Sequence, residues 1–171
     1  MLIFRNTQKV NKELGLRKGE IIETDEEGFL GAWFSNIVNI NRRKCLIFCH
    51  ASTLYCFWVP CVTKKSFSNF TGIFYEHLEQ NLKYEGVAQV TIENLRREYE
   101  KSVIFSKTNN RSVLGSMNDY AYLFESYVEP FGPAECDILA VNKKINSAPM
   151  SALEYSRGGN EMKRHLMRVS I

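Results

Sequence analysis

The chain of 171 residues is 44% hydrophobic and 24% charged, a composition that excludes collagenous, disordered and membrane-embedded classes. At this length about 70% of the unfolded surface is buried on folding, so one core can form without disulfide or metal staples. The 22 basic and 19 acidic residues leave a net charge of only +3, too little for a bulk electrostatic binder of nucleic acid, so any polyanion contact must use local patches.

Met1 to Arg5 is a short apolar run that predicts a strand. Thr7 then caps a brief helix in which Val10 and Leu14 lie four apart, and Gly15 ends it. Lys18 to Gly28 carries Glu20, Glu23, Asp25, Glu26 and Glu27 with little to bury after Ile22, which reads as an exposed acidic loop. From Leu30 to Val62 branched and aromatic residues dominate in three runs, divided by a turn at residues 39–44 and a hairpin loop at residues 50–53. Pairing Cys49 with Leu54 sets Ile47 against Cys56 and Cys45 against Trp58, with three cysteines on one sheet face.

The second half is helical. Ser66 or Ser68 caps a helix to about Tyr84, stopped by Gly86, and Thr91 starts another in which Ile92, Leu95 and Tyr99 share a face. Val103 to Phe105 predicts a strand returning to the sheet. Ser112 opens a helix to about Val128, Pro130, Gly132 and Pro133 break it, and Ile138, Val141 and Ile145 mark one more. The expected fold class is α+β: an antiparallel sheet from the N-terminal third, covered on one face by helices from the C-terminal two thirds. Residues 1–155 form a single domain. Residues 156–171 form a basic tail with Met162, Leu166 and Val169 at helical spacing, expected to stay mobile until a partner or acidic surface orders it.

The densest polar cluster is Lys107-Thr108-Asn109-Asn110-Arg111-Ser112, followed by Ser116, Asn118 and Asp119. It lies between an apolar strand and a helix start, where free N–H groups and the helix dipole favour an anion. Lys107 and Arg111 add charge-assisted hydrogen bonds suited to phosphate. The order of a Walker loop is absent, and capping by Asn110 or Ser112 accounts for several of the same residue types. A second cluster joins Arg42, Arg43 and Lys44 to Trp33 and Asn36, basic residues with an aromatic that could stack a base. A tryptophan in a β run is more often core.

The odd number of cysteines and their spacing predict reduced thiols. Only Cys45-x3-Cys49 approaches zinc-ligand spacing, and it falls inside an apolar strand. No cofactor signature, nucleophile elbow or paired metal carboxylates are found. No apolar run approaches about 18 residues and residues 1–10 lack a signal core, so a cytoplasmic protein without membrane contact is expected.

Over Arg42-Arg43-Lys44-Cys45-Leu46, and above all over Lys107 to Asp119, the chain resembles an uncharacterised family of small bacterial and archaeal proteins known only as a domain of unknown function. Leu2 to Lys9, the Trp33 segment and Pro149-Met150-Ser151-Ala152-Leu153 are similar too, so the resemblance spans about residues 1–155. Members occur beside or fused to a plasmid-encoded domain, which implies mobile-element, defence or toxin–antitoxin neighbourhoods. Similar proteins often show a histidine after the tryptophan where this chain has Phe34, so a role carried by that histidine does not transfer here.

These features predict a binding module in which Lys107, Asn109, Asn110, Arg111 and Ser112, helped by Arg42 and Arg43, hold a phosphate-bearing ligand, RNA or a nucleotide. The alternative is a protein-interaction component, an antitoxin or assembly subunit, met by its partner at the acidic loop or the basic tail. A further alternative is a metal-independent ribonuclease with Arg111 and Asp119 in its site.

Overall fold

The computed structural model describes residues 1–169. Its first strand, β1 (Leu2–Asn6), lies inside the sheet and is buried at every position, which explains a strand apolar throughout its first three residues rather than alternating. β1 pairs in parallel with β2 (Trp33–Ile40) on one side and with β5 (Val103–Lys107) on the other. β3 (Arg43–His50) and β4 (Cys56–Val59) continue the sheet antiparallel, giving the order β4-β3-β2-β1-β5. The sheet is therefore mixed, not purely antiparallel. Its cause lies in the connections: the β2–β3 turn is tight, while β1 reaches β2, and β4 reaches β5, through segments long enough to cross over.

The tight turn uses Asn41 and Arg42, both in the left-handed region at φ 48° and 62°, the backbone that matches the twist of a two-residue hairpin. The β3–β4 register sets Cys49 against Cys56 and Ile47 against Trp58, two residues from the expected pairing. A slip of two preserves the faces. Cys45, Cys49 and Cys56 accordingly share one face with Ile47 and Trp58.

Helices cover both faces, not one. On the first face Trp33, Leu46, Phe48 and Phe57 meet α1 (Gln8–Leu14), α2 (Lys64–Ser68), α3 (Phe70–Tyr84) and α4 (Gln89–Glu100) through Val10, Phe67, Phe74 and Leu95. On the second, Phe34, Ile47, Cys56 and Trp58 meet α5 (Arg111–Val128) through Met117, Tyr120 and Phe124. Trp58 stacks on Phe124 at 4.4 Å between centroids. Trp33 makes edge contacts with Phe57 and Phe74, and its indole N–H donates to the Tyr99 hydroxyl at 2.9 Å.

α6 (Ile138–Asn146) lies along the outer edge of β4. Its Asn146 and Asn142, four apart and so on one helix face, present their amides to the backbone of Cys56 and Trp58. α7 (Gly158–Arg168) departs from the expected mobile tail: Met162 and Leu166 are buried in the first core, and a Cβ on Gly158 would stand 3.0 Å from the Leu54 carbonyl oxygen. The helix is short, yet docking supplies the apolar burial that an isolated helix lacks. Residues 170 and 171 of the expected tail lie outside the described residues. Among the described residues no helix is long and apolar enough to cross a membrane.

Candidate functional site

β1 and β5 are adjacent and parallel, and the helices that leave them diverge. α1 follows β1 onto the first face, where Val10 and Leu14 pack, and α5 follows β5 onto the second, where Val113 and Met117 pack. In open α/β sheets such a divergence is where ligands are commonly taken, outside the carboxyl ends of the strands. Asn6 and Lys107 are register partners at that end, so the polar block begins at this topological switch point.

Within the block, Asn110 is the N-cap of α5: its side-chain oxygen accepts from the N–H of Ser112 at 2.9 Å and of Val113 at 3.2 Å. The cap thus fills two of the donors an anion would use. Ser116 is buried and its hydroxyl donates back to the Ser112 carbonyl at 3.2 Å. Asn109, Arg111 and Ser112 are exposed and Thr108 is half-buried. Lys107 forms an ion pair with Glu23, and this hydrogen bond and charge hold the Glu23 carboxyl below its ordinary range.

Beneath the block, Asn6 is buried; its oxygen accepts from the Ser35 hydroxyl at 2.6 Å, while its Nδ2 has no partner among the described residues. Asn36 lies at the same end of the sheet, where its oxygen accepts from the Thr7 hydroxyl at 3.0 Å. Arg5, only 1% exposed, donates to the Thr24 and Glu26 carbonyls at 3.1 and 2.9 Å and stands 3.6 Å from the Glu27 carboxylate. The acidic segment is therefore docked on Arg5 and Lys107, more than the solvated loop its composition predicts.

Other expected site residues are elsewhere. Trp33 is fully buried, so its ring has no face for a base. Arg42 and Arg43 are exposed on a turn that approaches Gly132, just past the far end of α5; the 18 residues of that helix put about 27 Å between them and the block. Asn118 and Asp119 are exposed further along α5. Eight residues separate Asp119 from Arg111, about 12 Å along the axis, too far for both to act on one scissile phosphate. Phe34 is core beneath α5.

The thiols of Cys45, Cys49 and Cys56 are buried; desolvation pushes Cys45 up to about 11 and raises the other two further. Among the described residues no cluster of three His, Cys, Asp or Glu side chains is placed to hold a metal ion. His50 is buried between Thr53, whose hydroxyl lies 2.9 Å from Nδ1, and the Leu30 carbonyl 3.0 Å from Nε2. His165 of α7 meets the same carbonyl at 2.6 Å. Desolvation pushes His50 down to about 3, which favours its neutral form between these two partners. The Asn142 and Asn146 amides and the exposed Tyr122 and Tyr155 escaped the sequence reading. The four-residue spacing of the two asparagines on an otherwise amphipathic helix is the signal that could have drawn attention to them.

Fold and site together define a mixed-sheet α+β domain with a polar block at the carboxyl ends of two adjacent parallel strands. The chain belongs to the family described as a domain of unknown function, DUF6933, whose model matches residues 3–160. No curated protein and no solved structure matches it.

Proposed function

We propose that the protein is a binding module that takes a phosphate-bearing ligand of nucleotide size at the carboxyl ends of β1 and β5. The observation that carries this reading is the divergence of α1 and α5 at two adjacent parallel strands, with exposed Lys107, Asn109 and Arg111 in the segment that joins β5 to α5. The unpartnered Asn6 amide supplies a further donor at the same strand end. Arg111 offers a planar fork for phosphate oxygens, and Lys107 becomes available when the ligand displaces Glu23. The remoteness of Arg42 and Arg43 and the burial of Trp33 favour a nucleotide over an extended RNA strand. A mobile-element, defence or toxin–antitoxin setting is part of this proposal, and the resemblance described above is what supports it.

The test is a binding titration of the full chain against mixed nucleotide, RNA and DNA pools at low and moderate salt. Nucleotide binding that weakens with salt and falls at least tenfold in Lys107→Ala and Arg111→Ala supports the reading. Absence of binding to every pool at low salt overturns it.

A further inference from the structure

Between Ser112 and Asn142 the chain holds Asp119, Glu125, Glu129, Glu135 and Asp137 and not one lysine or arginine. From Ser112 to its end α5 carries two of these acids, Asp119 and Glu125, both exposed, and no base. A cleft of about 490 Å³ opens on it between α5 and residues 148–155, lined by Asp119, Tyr122, Pro149, Met150 and Tyr155 among others. Tyr122 and Tyr155, on separate elements, are 74% and 75% exposed. Single exposed apolar groups are ordinary, but two tyrosines flanking one cleft beside a carboxylate form a surface with both an electrostatic and a π component for cations.

Tyr155 is held in place. It and Glu154 lie in the left-handed region at φ 65° and 51°, secured because the Tyr155 N–H donates to the Met150 carbonyl at 2.9 Å and Pro149 bridges to Arg157. The nearby bases are already engaged: Arg157 donates to the Ser147 carbonyl at 3.0 Å, Lys144 lies 4.0 Å over the Tyr127 ring and Lys143 lies 5.4 Å over Tyr84. The Lys144 contact shows a cation seated on another tyrosine of α5. Asp119 is the charged residue among those lining the cleft, and no basic residue stands among them.

We propose that this cleft docks a lysine- or arginine-bearing segment of a partner protein, its cationic head at Asp119 and its stem between Tyr122 and Tyr155. The open shape suits a side chain projecting from a peptide, since a free small molecule requires a more enclosing pocket. This site is independent of Lys107 and Arg111. It gives the protein-interaction reading a surface other than the acidic loop and the tail, both of which contact the chain itself.

The probe is a fluorescently labelled peptide of six arginine–glycine repeats, with a citrulline–glycine peptide as its uncharged counterpart, titrated into the full chain. Saturable binding of the arginine peptide alone, weakened at least tenfold in Tyr122→Ala and Tyr155→Ala and restored by Tyr155→Phe, supports the proposal. These variants leave the charge unchanged, so an unaltered Kd would mean diffuse attraction to the acidic surface and overturn it. Equal binding of the citrulline peptide overturns it too. Concentration-dependent dimerisation abolished by the same variants, without peptide binding, would assign the cleft to a second copy and also overturn the proposal. Lys107→Ala leaves peptide binding intact, which separates this outcome from the fate of the nucleotide site.

Discussion

Asn146 holds both backbone polar groups of Cys56: its oxygen accepts the Cys56 N–H at 2.9 Å and its Nδ2 donates to the Cys56 carbonyl at 2.6 Å. Asn142 repeats the arrangement at Trp58, with its oxygen 2.9 Å from the N–H and its Nδ2 3.4 Å from the carbonyl. Two side chains one helical turn apart thus stand where a sixth strand would pair. An exposed β4 edge would be a template for unwanted strand addition.

Asn146→Leu leaves the Cys56 N–H and carbonyl buried without partners, at about 1–3 kcal/mol for each orphaned group. The expected result is a lower denaturant midpoint with unchanged m-value, and faster aggregation on partial unfolding. Asn142→Leu acts in the same direction and also strands the Asn81 oxygen, which accepts from Asn142 at 3.0 Å.

Met162 and Leu166 belong to the first core, at 1% and 3% exposure. Leu166→Ala is expected to cost about 2–5 kcal/mol, and truncation after Arg157 to lower the melting temperature by many degrees. A truncated chain that melts with the full one would restore the mobile tail.

Stability should fall in acid. His50 is held near pKa 3 in the folded protein and returns to about 6.5 when unfolded. Its stabilising contribution is complete above about pH 6.5 and is lost progressively as pH drops toward 3, because the unfolded chain takes up the extra proton. One such proton is worth about 1.4 kcal/mol per pH unit. Half-buried His77, also lowered chiefly by desolvation, acts in the same direction. Denaturant titrations across pH 3.5–6.5 should show this slope, and His50→Gln should reduce it.

Glu23→Gln frees Lys107 from its ion pair. If the block at the strand ends binds phosphate, nucleotide affinity rises several-fold, while thermal stability, set by a pair exposed at both partners, changes little. Calorimetric titration of the variant against the parent chain distinguishes this from a purely structural pair, which would leave affinity unmoved.

Local chemistry was legible in the sequence and long-range pairing was not. The strand at Val103 to Phe105, the Gly15 stop and the helix spacing of Met117, Ala121 and Phe124 follow from short windows of residue type, as does the shared face of three cysteines. The parallel pairing of β1 depends on two long crossovers, and nothing in Leu2 to Arg5 encodes the neighbour it will find. The same limit applies to the site. Asn110 as a cap is a local inference, whereas the partnership of Glu23 with Lys107 and of Arg5 with the Thr24 carbonyl joins segments far apart in sequence. The tail misled because Met162 and Leu166 carry too little apolar area to order a helix alone, and the groove that receives them is built by residues from distant elements.

The chain has two tryptophans, and each belongs to a different layer. Trp33 sits in the first core with its indole N–H bound to Tyr99, and Trp58 sits in the second against Phe124 with its own N–H unpartnered among the described residues. Fluorescence from Trp33→Phe and Trp58→Phe variants would therefore follow the two sides of the sheet separately. Coincident transitions would show that β1 to β4 couple both layers into one cooperative unit, and divergent ones would identify the side that opens first.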